Sequence, residues 1–552
     1  MLPIFLLSTF TLALVTFGIP GWKSGRSAHS LHLRTPTAKR RQRYHQQVMS
    51  SSSDWIVSSL CEDDNEDALP PTTTSTTEAE TMTQPLIPTH LFLHFDINET
   101  ILLGDDAGGD SRHESTQKML AKSAFCRKPS SSSSVSISTP TIETLAWEKT
   151  QQVKPTHWWD GQEIGRELSM PPLYTGWKWP EHCCPYYRTA YKRHSKDFTA
   201  DGNHGQIYAP LLEACEASLL SSSSSNYSIP SHSSRDTGGL SSEGKQDRKN
   251  TILPAFYETL RHLIESYENN EDIRNRSDEK ESQPPPFTVV FRTFGSDLSE
   301  IASVVTAFAK GEHPDYPDID FPHLCLSNDR LYQGRWRVIS NANHNLDNDD
   351  TAKAAPPEVK VVYQLWTSDE TKLIASGDAE ILDLLSGKTK ISQDESSSSS
   401  PMKFAIFGIR DDYDFWKANQ YSPTAGKPIW VLNYDNENPK RSNAVKEDGY
   451  NLYGHHLLFD DNIHNLPDDG IACVRKESLQ DDGIANKCII GKNTENAFLF
   501  ETVDGTNLDA YQGIHLVRVP TVEPVLNPQW YIQQIKKARE RLQLRLQSQL
   551  ES

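Results

Sequence analysis

The chain has 552 residues, of which 36% are hydrophobic, so it has the length of several domains without the apolar content to bury all of it. Residues 1–53 carry seven Lys or Arg and no acidic residue, whereas the whole chain has a formal net charge of −19. The acidic body that remains repels nucleic acid and anionic membrane surfaces, and neither is an expected partner.

In chain order, the first segment is apolar from Leu2 to Val15 and stops at Gly18-Ile-Pro-Gly21. A membrane span needs ~20 apolar residues, so residues 1–19 read as a signal-peptide core, and no stable membrane span is expected after processing. Residues 20–53 are basic and rich in Ser and Thr, the composition of a plastid transit segment. Together the two segments are similar to the two-part presequences of algae with complex plastids. Secretory targeting is therefore expected, with plastid delivery and plain secretion as alternative destinations; an uncleaved signal anchor is the rival reading. Residues 54–85 are polar and acidic and read as linker.

Folded structure is expected to begin at Leu91-Phe-Leu-His-Phe-Asp96, an apolar run suited to a buried strand of a parallel sheet. A helical pattern follows at Glu114–Phe125. Residues 128–283 are irregular, with a tryptophan-rich region (Trp147, Trp158, Trp159, Trp177, Trp179) that reads as a small packed core, and an amphipathic stretch at Ile252–Tyr267. Serine runs at Ser130–Ser134, Ser221–Ser225 and Ser396–Ser400 cannot offset their ordering entropy by burial and predict disordered insertions. A β-branched strand is expected at Phe287–Thr293, then a helix at Asp297–Lys310 whose start Ser296 or Asp297 can cap. Further strand-like runs lie at Phe404–Ile409, Ile429–Tyr434, His455–Asp461 and Ile471–Arg475. A polar helix, Pro528–Gln547, closes the chain with Asn527 as its N-cap. The eight cysteines show no CxxC spacing, so a zinc site is not expected, and disulfides stay open. Sequons occur at Asn98, Asn226 and Asn275, the last two in polar linkers.

In open parallel sheets, ligands bind beyond the carboxyl ends of the strands. Three runs end in polar residues there: Asp96 after Phe95, Arg292-Thr293 after Phe291, and Asp460-Asp461-Asn462 after Phe459. Carboxylates that meet at strand ends repel one another unless a cation sits among them, and Mg²⁺ suits a few carboxylates with waters and phosphate oxygens. Taken singly, a strand ending in Asp is ordinarily solvated or caps a helix. Arg292 should face away from Thr293, one of His455 and His456 should face the core, and Gly104–Asp110 reads as a flap or a plain loop.

Taken together, Asp96-Ile-Asn98-Glu-Thr100, the strand-end Thr293, a later lysine and Asp460-Asp461 resemble the haloacid-dehalogenase-like (HAD) superfamily, whose motifs follow the same order. The resemblance covers residues 91–104, 287–297 and 427–464. It implies an α/β fold, a Rossmann-like parallel sheet over 86–127 and 284–526 with a long inserted cap at 128–283; the disordered low-complexity segments and the C-terminal helix over 527–552 come from the residues themselves. It also implies that Asp96 is a nucleophile forming an aspartyl-phosphate. Thr293 and Lys427, with Lys417 as the alternative lysine, would hold the phosphoryl group, and Asp96, Asp460 and Asp461 would hold Mg²⁺. The expected activity is a Mg²⁺-dependent hydrolase or phosphotransferase acting on a phosphorylated small molecule or phosphoprotein. Asn98 departs from the pattern, because the family's phosphatases carry a second Asp there that protonates the leaving group and activates water. Losing such acid–base help typically costs ~10²–10⁴ in rate. The alternative is therefore a HAD-like protein that binds metal, a phosphorylated ligand or a protein partner without turnover; a third reading makes the tryptophan-rich insert an interaction surface.

Overall fold

The computed structural model describes residues 90–104, 110–128, 153–166, 169–221, 251–269, 285–340, 359–387, 405–432, 454–464, 470–478, 499–520 and 522–551. The presequence and linker readings, Trp147, the serine runs beyond Ser221, the sequons at Asn226 and Asn275 and most of Gly104–Asp110 lie outside these residues. Among the described residues no helix is long and apolar enough to cross a membrane.

The larger sheets use eleven strands: β1 (Leu91–Asp96), β2 (Phe287–Thr293), β3 (Leu331–Ser340), β4 (Val359–Thr367), β5 (Leu373–Ser376), β6 (Ile406–Arg410), β7 (Lys427–Val431), β8 (His455–Asp460), β9 (Ala472–Ser478), β10 (Leu499–Thr502) and β11 (Leu516–Arg518). Eight form one mixed sheet in the order β11-β8-β1-β2-β6-β3-β4-β5. Pairings from β11 to β3 are parallel and the last two antiparallel. A three-stranded sheet, β7-β9-β10, packs beside it. The chain is thus an α/β protein with a mostly parallel sheet. β3 to β5 were not among the expected elements, nor were β10 and β11.

The central parallel strands are buried on both faces, as such strands usually are, with helices over one face and the small sheet over the other. On β1, Leu91, Leu93 and Phe95 point into a core with α2 (Pro254–Glu268), α3 (Leu298–Ala309) and α4 (Trp530–Glu551). Phe95 stacks on Phe459 at 4.9 Å and meets Phe256 and Tyr531 edge-on at 5.2 and 5.4 Å. The amphipathic stretch within 128–283 therefore supplies a core helix, α2. The alternate residues of β1, Phe92 and His94, face β7, where His94 and Trp430 approach at 6.0 Å. By the two-residue period of a strand, Asp96 belongs to this second face.

Helix starts follow local chemistry. α1 (Arg112–Ser123) opens with a capping box in which Ser111 and Glu114 satisfy each other's backbone N–H groups. α4 begins at Trp530, two residues beyond Pro528, and Asn527 Oδ1 accepts from Gln529 N at 3.0 Å. Asp297 sits at the N-cap of α3 but makes no side-chain cap bond, so its carboxylate is spent elsewhere. Within the insert, the buried Trp158 packs on Tyr186, Phe198 and Tyr208. Six cysteines (Cys126, Cys183, Cys184, Cys215, Cys325, Cys473) are free thiols.

Both His455 and His456 are fully buried, not one alone. With His94 and His515 they form a neutral cluster: His94 Nε2 lies 3.1 Å from His456 Nδ1, and His515 Nδ1 donates to His456 O at 2.9 Å. Burial lowers the His515 pKa to about 4. A histidine depressed in the folded state stabilises fully above its unfolded pKa, near 6.5, and loses that contribution as pH falls toward 4, because the unfolded chain then binds the extra proton. In His515→Gln, the slope of unfolding free energy against pH should therefore be shallower by up to ~1.4 kcal/mol per unit in this window. Urea unfolding at pH 7.5, 6 and 5 measures it, and identical slopes would show that His515 is not held neutral.

Candidate active site

Register brings the polar strand ends together. Phe95 of β1 pairs with Phe459 of β8, which sets Asp96 beside Asp460, and on the other side Asp96 pairs with Arg292 of β2. Residues in one row of a parallel sheet point to the same face, so all three side chains turn toward β7. There Lys427 Nζ donates to Asp96 Oδ1 at 2.5 Å and to Asp460 Oδ2 at 2.8 Å. Lys427 and Asp460 are fully buried and Asp96 nearly so. Lys417, the alternative lysine, lies exposed on the short helix Tyr413–Ala418 and takes no part.

Asp461 joins from the turn after β8. Its backbone N–H donates to Thr100 Oγ1 at 3.3 Å, and the Thr100 hydroxyl donates to Asp96 Oδ2 at 3.3 Å. Oxygens of Asp96, Asp460 and Asp461 all lie within 4.8 Å of one another, a spacing that one cation can bridge. Burial pushes the Asp96 carboxyl well above its ordinary range; Lys427 pulls it down, and Asp460 and Asp461 push it up again. Asp461 is raised to about 6 by burial, against the pull of Lys122. Lys427 is held up as a cation: burial disfavours its charge, but Asp460 and Asp96 outweigh that. Two lysines, Lys427 and Lys122, face the three buried carboxylates, which leaves one negative charge among these groups for a further cation to balance.

Thr293 ends β2, and its Oγ1 accepts from Gly295 N at 2.8 Å, which leaves the hydroxyl hydrogen to donate elsewhere. Asn98 is half-buried in the turn after β1 and donates from Nδ2 to Asp297 Oδ2 at 2.9 Å. Arg292 is wholly buried and clamps Asp411 with two donors, Nε to Oδ2 at 2.9 Å and Nη2 to Oδ1 at 2.5 Å, while Nη1 donates to Pro428 O at 2.8 Å. It thus ties β2 to the residue after Lys427.

Several charged groups at the site escaped the sequence reading. Glu99 has a left-handed backbone (φ 59) and pairs with Lys118 at 3.0 Å and Lys122 at 2.5 Å. Burial opposes the Glu99 charge, but the two lysines hold its pKa down at about 2. Lys122 also reaches Asp461 Oδ2 at 2.8 Å, and Lys118 reaches Asp110 Oδ2 at 2.6 Å. The spacing of Lys118 and Lys122 on an expected helix, one turn apart on one face, was the available signal. Asp297 carried none beyond its capping position.

Comparison with models of protein families, with curated proteins and with solved structures returns no match.

The charge balance of the site is testable. In Lys427→Met, Asp96 and Asp460 lose their shared buried cation, and breaking such a pair from one side costs ~3–5 kcal/mol. Chemical denaturation at pH 7.5 without divalent ions should show that loss; unchanged stability would mean the lysine does not balance the carboxylates.

Proposed function

We propose that the protein is a HAD-like, Mg²⁺-dependent hydrolase or phosphotransferase that acts on a phosphorylated small molecule or phosphoprotein through an aspartyl-phosphate on Asp96. The contact of Lys427 with both Asp96 and Asp460 at the carboxyl ends of adjacent parallel strands carries the reading. The topology supports it. With β3 set aside, the parallel strands run in space as fifth, fourth, first, second, third, so the order reverses at β1. Open α/β sheets bind ligands at that switch point, beyond the strand ends.

The side chains suit phosphoryl transfer. A lysine against an attacking carboxylate offsets charge that develops on phosphoryl oxygens. The Thr293 hydroxyl is free to donate to one of those oxygens. The donor set of Asp96, Asp460 and Asp461 fits Mg²⁺, which takes carboxylate oxygens and keeps waters. Mg²⁺ held there would balance the negative charge that Lys427 and Lys122 leave on the three carboxylates and on a bound phosphoryl group. An Asp96 oxygen attacks phosphorus, the ester P–O bond breaks, and the phosphoryl group rests on Asp96 until water or an acceptor hydroxyl takes it. Secretory targeting, with plastid or extracellular destination, belongs to the same proposal.

The second reading, ligand or metal binding without turnover, is favoured by Asn98, an amide where the family's phosphatases have their acid. A panel of phosphoesters assayed with and without Mg²⁺ separates the two. Mg²⁺-dependent turnover is expected, with a loss of more than ~10³-fold in Asp96→Asn. A wild type that turns over nothing, yet gains ~2.7 kcal/mol of stability at Mg²⁺ concentrations a hundredfold above its Kd, would favour binding alone.

A further inference from the structure

If Asp96 is a nucleophile, the acid–base group absent at Asn98 must come from another side chain. The carboxylates near the site divide clearly. Asp96, Asp460 and Asp461 form the candidate cation site. Glu99 is locked as an anion between Lys118 and Lys122. Asp110 is paired to Lys118 and Lys196. Asp411 is clamped by Arg292 and accepts from Tyr363 at 2.5 Å. Asp297 differs from all of these. It is 5% exposed, it makes no cap bond to α3, and its Oδ2 accepts from the Asn98 amide at 2.9 Å. Among the described residues, no lysine or arginine pairs with it.

Its position is also marked by Gly295. A methyl group on that glycine would lie 2.4 Å from Asp297 Oδ2, 3.3 Å from Thr293 Oγ1 and 3.4 Å from Asn98 Nδ2. The Asp297 carboxylate, the Thr293 hydroxyl and the Asn98 amide therefore converge on one small space, which glycine keeps open. Asn98 Oδ1 is buried there without a hydrogen-bond partner among the described residues.

We propose that Asp297 is the general acid and base of this site, with Asn98 as the amide that orients it. The inference rests on the aspartyl-phosphate reading above and assigns that chemistry a residue the family pattern does not. In the first half-reaction Asp96 attacks phosphorus, the bond from phosphorus to the leaving oxygen breaks, and the Asp297 carboxylic acid gives its proton to that oxygen. In the second, the Asp297 carboxylate takes a proton from water and the water oxygen attacks phosphorus. The Asp96–phosphorus bond then breaks, and inorganic phosphate leaves with Asp297 protonated again. The Asn98 Oδ1 acceptor suits the second hydrogen of the attacking water. Asn98 thus has a positional role in place of an acidic one.

Leaving-group dependence tests the role. An aryl ester such as p-nitrophenyl phosphate departs without protonation, whereas an alkyl ester such as glycerol phosphate needs a proton. Asp297→Asn should cut kcat/KM for the alkyl ester by ~10²–10⁴ and first-half-reaction release of p-nitrophenol by less than about tenfold, while acid-quenched phosphoenzyme accumulates. Adding Asn98→Asp to that variant should restore part of the alkyl-ester activity, which a merely structural lesion would not allow. Equal losses on both esters without rescue, or no loss on either, overturn the assignment of Asp297 while Asp96-dependent turnover keeps the parent reading. A full-length wild type silent on both esters and forming no phosphoenzyme overturns both.

Discussion

Everything at the candidate site depends on one buried cation, the ammonium of Lys427, bound between Asp96 and Asp460. Removing an ammonium and two carboxylates from water carries an effective penalty of several kcal/mol per ion, and close pairing offsets this only when the geometry is good. The fold supplies that geometry by register. Phe95 against Phe459 sets the two aspartates side by side, and the pleat turns both toward β7. A shift of one residue in either pairing would send one carboxylate into the apolar core around Phe256 and Tyr531. The aromatic packing on the far face therefore fixes the chemistry on the near one.

A second ring of charge holds the first. Asp461, Lys122, Glu99, Lys118 and Asp110 form a chain of alternating sign that runs from the turn after β8, through the turn after β1, to helix α1. It keeps Glu99 in a left-handed conformation that costs an ordinary residue about 1–2 kcal/mol. It also fixes the turn that carries Asn98. The Tyr531 hydroxyl closes that turn from α4 by donating to Thr100 O at 2.6 Å. Residues from both ends of the described chain thus brace a loop of a few residues, which is the rigidity a positioned carboxylate needs.

The sequence made the strand ends legible because period and polarity agree there: apolar runs that stop at acids have one natural place in a parallel sheet. Asp96, Asp460 and Asp461 were readable for that reason, and the structure brings them together with Lys427. Lys427 was the preferred lysine, and an apolar run follows it directly, whereas mostly polar residues follow Lys417; that Lys427 is buried against both aspartates is decided by packing. Strands β3 to β5, at one end of the sheet, were missed because their alternation, as in Arg335-Trp336-Arg337-Val338, is that of a half-exposed antiparallel ribbon and carries no motif. Helix α2 was read as part of the insertion because polar linkers flank it, although Phe256 and Leu260 complete the central core. Asp297 was legible only as a cap. That a cap position can be occupied without the cap bond being made is a tertiary fact, decided by the Asn98 amide across the site.

The remaining problem for such a site is that Lys427 and Asp96 belong to different sheets. Lys427 starts β7 in the small sheet, and Asp96 ends β1 in the large one. Two sheets packed through side chains alone could slide, and a buried charge pair tolerates little sliding. Arg292 answers this. Its guanidinium is fixed to β2 in the row of Asp96, is held in orientation by both oxygens of Asp411, and reaches the carbonyl of Pro428, the neighbour of Lys427. Tyr363 from β4 donates to the same Asp411, and Asp411 N donates to the Thr293 carbonyl at 2.7 Å. A planar donor fork suits this task better than an ammonium, because its orientation is set by several fixed bonds at once. The antiparallel extension that looked like ornament to the parallel sheet thereby gains a structural task, since through Tyr363 it holds the clamp that aligns Lys427 with Asp96.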